Sequence, residues 1–153
     1  EEYEKAIFLS HNDEYTNTAL FCTNYGQATF AAADHRRARE LFLQANNLYE
    51  HCWNLNGRSL ACAYLAYYDA SDGNKQIALR RLQEALHFME LYSSPLEQGI
   101  VYFIMAQLKR VCQNGPVADF LSEPLSYYRE LGISLLENIP GAYEINILNQ
   151  FIA

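Results

Sequence analysis

Proline and glycine are both scarce, 4 and 7 in 153 residues, so a disordered or low-complexity chain is excluded at the outset. Basic residues are few as well. Eleven Lys and Arg stand against 18 Asp and Glu, a net charge of −7. That balance disfavours direct nucleic-acid binding, which relies on clustered cations to displace counterions from phosphates. The clusters His35-Arg36-Arg37 with Arg39, and Arg80-Arg81, sit beside acidic residues and read as solvated helix faces. No apolar run approaches the ~20 residues needed to span a bilayer, so no membrane role is expected. The start, Glu1 to Lys5, is mostly acidic with no long apolar stretch behind it, unlike a signal peptide.

Cysteine is present four times, at 22, 52, 62 and 112, without a C-x-x-C pair. An apolar chain of this size does not need disulfides, and reduced core thiols in a cytoplasmic protein are the expectation. His11, His35, His51 and His87 are scattered, and no H-E-x-x-H occurs, so no metal site is expected. Neither G-x-G-x-x-G nor the P-loop pattern can be drawn through the glycines, and no phosphate cradle or cofactor site is encoded. The cysteines fall in or beside apolar helical faces, where they read as buried thiols rather than nucleophiles. No catalytic residue is therefore assigned, and the chain is expected not to be an enzyme.

What is abundant is apolar and aromatic material: half the residues are hydrophobic, 14% are aromatic and 12 are tyrosine. It is distributed with a long period, 40 positions. Gly26, Ala38, Phe42 and Ala45 return as Ala66, Ala78, Leu82 and Ala85, and again as Ala106, Ala118, Ser122 and Leu125. Leu20, Leu60 and Ile100 share a column, as do Leu48, Phe88 and Tyr128. A period of this length marks stacked supersecondary units, each burying its apolar face on its neighbours.

Within each unit the apolar spacing of three and four predicts two amphipathic helices. Helices are expected near 16–32, 35–53, 57–71, 74–93, 96–113 and 116–137, the last either kinked or split at Pro124 into a short helix to Ser122 and a second from Pro124. Ala33-Asp34, Asp72-Gly73-Asn74 and Asn114-Gly115-Pro116 supply the turns, with Asp34 as an N-cap. Ser94-Pro95-Leu96-Glu97 opens the fifth helix with a cap, a proline at its first position and Glu97 in capping-box register. Short connectors require antiparallel neighbours. The expected fold is all-α, an α-solenoid of stacked antiparallel helix hairpins: repeat 1 over 16–54, repeat 2 over 55–94 and an irregular repeat 3 over 95–138. Residues 1–15 read as the end of a preceding repeat, with Phe8 one period before Leu48, and 142–153 as the first helix of a further unit, so that the chain is expected to be a fragment.

The recurring residues resemble the tetratricopeptide repeat: a small residue, an Ala twelve on, a large apolar residue four later and another Ala three later. Gly26-Ala38-Phe42-Ala45 fits fully, Ala66-Ala78-Leu82-Ala85 closely, and the third unit through Ala106 and Ala118. The period of 40 exceeds the 34 of the common form, and the usual Trp and terminal Pro are missing from the first two units. Extended units of this kind resemble those of bacterial transcription activators of the maltose-regulator type, of quorum-sensing peptide receptors and of eukaryotic adaptors.

The resemblance implies a right-handed superhelix whose first helices line a concave groove. Carried over, that groove comprises Thr23, Asn24, Gln27 and Phe30; Ala63, Tyr64, Tyr67 and Ala70; and Phe103, Ile104, Gln107 and Arg110. It implies a non-enzymatic module that binds another protein or a peptide. The alternative is a ligand- or peptide-sensing regulatory domain of a bacterial transcription regulator, and a third reading is self-association through 142–153. A clamp for a C-terminal carboxylate is not among the expectations, since its matching positions carry Thr23, Gln27, Leu60, Tyr64, Ile100 and Ile104.

Overall fold

The computed structural model describes the backbone of residues 2–137 and 139, and the side chains of 14–137 and 139. The expected helix over 142–153 and the self-association assigned to it lie outside the described residues. Within them there are seven helices and no strand: α1 (Glu2–Ala31), α2 (His35–Tyr49), α3 (Arg58–Ser71), α4 (Lys75–Tyr92), α5 (Pro95–Val111), α6 (Pro116–Phe120) and α7 (Leu125–Leu136). The protein is all-α.

Most bounds follow from local chemistry. Asp34 caps α2, its carboxylate accepting from the Arg37 amide, and Ser94 caps α5 by accepting from the Glu97 amide at 3.3 Å with Pro95 in the first turn. The α1–α2 and α3–α4 turns are the same motif, one repeat apart. Ala33 and Gly73 both adopt left-handed φ, 62° and 86°. The Asp34 amide donates to the Thr29 carbonyl and the Asn74 amide to the Asp69 carbonyl, while the Ala33 and Gly73 amides reach the carbonyls of Phe30 and Ala70. This is the six-to-one and five-to-two pairing that closes a helix on a left-handed residue.

One element differs from expectation, and another settles an alternative left open. α1 runs unbroken over 30 residues, because Glu1–Tyr25 contains neither glycine nor proline to stop it. Beyond α5, Pro124 splits the last expected helix: α6 ends at Phe120, and Pro124 caps the separate α7 in extended conformation.

α1 packs on α2, α3 on α4, and α5 on α7; α3 also lies against α2 and α5, and α6 rests on α4. The small residues work where the hairpins close. A Cβ on Gly26 would stand 2.8 Å from Phe42 Cε1, so Gly26 is where α1 admits the α2 ring. Gly26, Ala38, Phe42, Ala45, Ala66, Ala78, Leu82, Ala85 and Ala106 are all buried. Ala118 is only half-buried, because it sits on the short α6 while α7 takes the place beside α5. There the crossing uses another glycine pair: a Cβ on Gly132 would meet Phe103 Cδ2 at 2.6 Å and the Gly99 carbonyl at 3.0 Å.

Candidate functional site

The first two hairpins meet through an aromatic stack. Phe42 of α2 lies face to face with Tyr64 of α3, centroids 4.4 Å apart and planes 7° apart. Phe30, near the end of α1, touches His35, Tyr64, Tyr67 and Tyr68 with centroids 5.1 to 6.0 Å away. The large rings bring apolar area and fixed edge-to-face geometry to one junction.

Beside that cluster, at the turn end, charges span three helices. Asp69 of α3 is buried and receives Arg39 Nη2 of α2 at 3.0 Å and Arg81 Nε of α4 at 3.0 Å. Arg39 also pairs with Asp72 and lies over the Tyr68 ring at 5.9 Å. The His35 Nδ1 and the Tyr68 hydroxyl stand 2.9 Å apart. A buried carboxylate held by two guanidinium groups is satisfied on both oxygens and fixes α2 and α4 relative to α3.

The loop end is tied differently. The Tyr49 hydroxyl donates to the Asn56 carbonyl at 2.9 Å and lies 3.1 Å from the Thr23 hydroxyl; burial raises its pKa. Glu97 departs from its capping-box reading. Its carboxylate accepts from the Gly57 amide at 3.3 Å and the Ser59 hydroxyl at 3.2 Å, so it caps α3 from the start of α5 and links consecutive hairpins. Burial raises the Glu97 pKa above its ordinary 4.5, and the two hydrogen bonds offset part of that rise. Arg58 opens α3, largely buried, with Nη2 2.6 Å from Glu50 and its guanidinium 4.4 Å above Phe88.

The expected groove is mostly closed. Thr23, Phe30, Tyr64, Phe103 and Gln107 are buried, as are Ala63, Ala70 and Ile104. The reason is the position of α3: 12 of its 14 residues are buried, because α2, α4 and α5 pack around it. Burial removes these side chains from a ligand's reach in this arrangement. Asn24 and Arg110 are exposed, and Gln27 and Tyr67 are half-buried. Tyr67 packs its ring edge on Phe30, 6.0 Å between centroids, while keeping part of its surface open.

Sequence reasoning missed the linkage of Arg39, Asp69 and Arg81, whose charges do not recur at the repeat spacing. It also missed Gly99 and Gly132, which it tested only against phosphate motifs. Their position on otherwise apolar helical faces was the available signal.

The arrangement's chemistry is that of packing. Burial pushes the Cys62 thiol up to about 12 and also raises Cys22 and Cys112. Among the described residues no group of three His, Cys, Asp or Glu is placed to hold a metal ion, and no helix is long and apolar enough to cross a membrane. Comparison with family models, curated proteins and solved structures finds no match.

Proposed function

We propose that the chain is a non-enzymatic module that binds another protein or a peptide, built as a tetratricopeptide-like α-solenoid and working in the cytoplasm. The observation that carries this reading is the pairing of α1 with α2, α3 with α4 and α5 with α7, with Gly26, Ala38, Phe42 and Ala45 of the first unit and Ala66, Ala78, Leu82 and Ala85 of the second all buried in register. Stacked repeats hold a preformed surface at little ordering cost, and such surfaces serve binding. The accessible survivors of the expected groove are Asn24, Gln27, Tyr67 and Arg110. Two amides, an aromatic edge and one cation suit the backbone and side chains of an extended peptide.

A lysate capture with the whole chain, beside a Gln27→Ala/Tyr67→Ala variant, tests this. One protein or peptide retained by the parent and lost in the variant supports the reading. Retention of a small metabolite instead would favour the sensing domain of a transcription regulator. Equal capture by parent and variant would rule out this surface.

A further inference from the structure

The repeat register makes α1 and α3 equivalent, yet one face of α1 is bare. Phe21 is 64% exposed where its counterpart Ala61 is fully buried, and Tyr25 is 39% exposed where Leu65 is buried. Asn24 and Ala28 are exposed where Tyr64 and Tyr68 are buried. On α3 that face is met by α2: Phe42 stacks on Tyr64 and His35 reaches Tyr68. On α1 Phe21 stacks on Tyr25 at 5.8 Å, and Arg37 lies over the Tyr25 ring.

The segment that stands in the α2 register before α1 is the beginning of α1 itself. Phe8 falls in the column of Leu48 and Phe88, and Leu9 in that of Tyr49 and Met89. The loop between α2 and α3, 50–57, maps onto 10–17. Those residues read Ser-His-Asn-Asp-Glu-Tyr-Thr-Asn, in which Glu14 is the one strong helix former. α1 is also 30 residues long, against 14 and 17 for α3 and α5.

We propose that α1 is hinged at residues 10–17 and that residues 2–9 fold back as a separate helix across the Phe21–Tyr25 face, as α2 lies on α3. The continuous helix and the folded-back form are then two states of one chain, differing in whether a weak helical stretch or an apolar face is satisfied. The repeat register carries this independently of the binding reading.

Nitroxide labels at Glu4→Cys and Ala32→Cys in a Cys52→Ser background distinguish the states by pulsed dipolar spectroscopy. A continuous helix separates the two positions by about 42 Å at ~1.5 Å per residue. Folding back places them roughly 20 Å apart, from ~10 residues of axial offset and an interaxial distance of ~8–10 Å. The expected result is a short-distance component that disappears in Phe21→Asp, whose exposed position leaves the fold intact by circular dichroism. It should also shrink in Asn12→Ala/Asp13→Ala/Asn17→Ala, which strengthens the continuous helix. Only the long, continuous-helix distance in the parent overturns the proposal, and so does a short component that survives Phe21→Asp.

Discussion

Phe42 and Tyr64 stack at 4.4 Å across the junction of the first two hairpins, and the Phe42 ring also fills the space left by the missing side chain of Gly26. Three helices are thus held by one ring. Truncating Tyr64 to Ala should cost about 3–5 kcal/mol through lost burial and the cavity left behind. Gly26→Ala should cost about 1–3 kcal/mol by forcing a methyl into the ring. Urea denaturation of each variant checks both values; a Gly26→Ala protein as stable as the parent would mean that Phe42 has room to move.

Ala33 is the position where the sequence leaves stability unused. It takes the left-handed conformation that Gly73 takes in the matching turn, at a strain of about 1 kcal/mol for a residue with a Cβ. Ala33→Gly should therefore raise stability by up to ~1 kcal/mol, less the added entropy of the unfolded chain. Thermal unfolding gives the sign directly.

Asp69 holds two arginines from different helices. Replacing it with Ala takes the carboxylate from the largely buried Arg81, while Arg39 keeps Asp72 and is one-third exposed, and should cost about 3 kcal/mol. A double-mutant cycle pairing Asp69→Ala with Arg81→Ala should show coupling of at least ~1 kcal/mol. Additive effects would show that the network carries no joint stabilisation.

Glu97 has a folded-state pKa above its ordinary value, so the folded protein holds this proton more tightly than the unfolded chain. Its contribution is most favourable below the ordinary 4.5 and declines as pH rises through the raised folded value. Glu97→Gln keeps an acceptor for Gly57 and Ser59 without the buried charge. The stability difference between variant and parent should move in the variant's favour between pH 4 and pH 7, as read from urea midpoints. A difference independent of pH would exclude this linkage.

The thiols should differ in reactivity. Cys62 is buried with its thiol pushed up to about 12, while Cys52 is half-buried beyond the end of α2. Alkylation of the native protein at pH 8, followed by mass spectrometry, should modify Cys52 first and leave Cys62 until unfolding.

The helices were legible because their apolar spacing is local, and their ends because Asp34, Ser94, Pro95 and Gly73 act on adjacent backbone. Pro124 marked a disruption, and its outcome was a complete break. The groove was less legible. A helix pattern shows that residues such as Phe103 and Gln107 of α5 share a face, but not whether a neighbour covers it. On α3 both faces carry large or small apolar residues, which favours enclosure over a groove.

The all-helical class, the repeat register, the turns and the small positions at Gly26, Ala38, Ala66 and Ala78 could all be read along the chain, since each follows from residue size, backbone freedom or spacing. Three outcomes needed the assembled helices: α3 is enclosed, α7 rather than α6 packs on α5 through Gly99 and Gly132, and Glu97 caps the first helix of the preceding hairpin. They depend on which surfaces meet in space, and burial energy depends on the neighbour as much as on the residue.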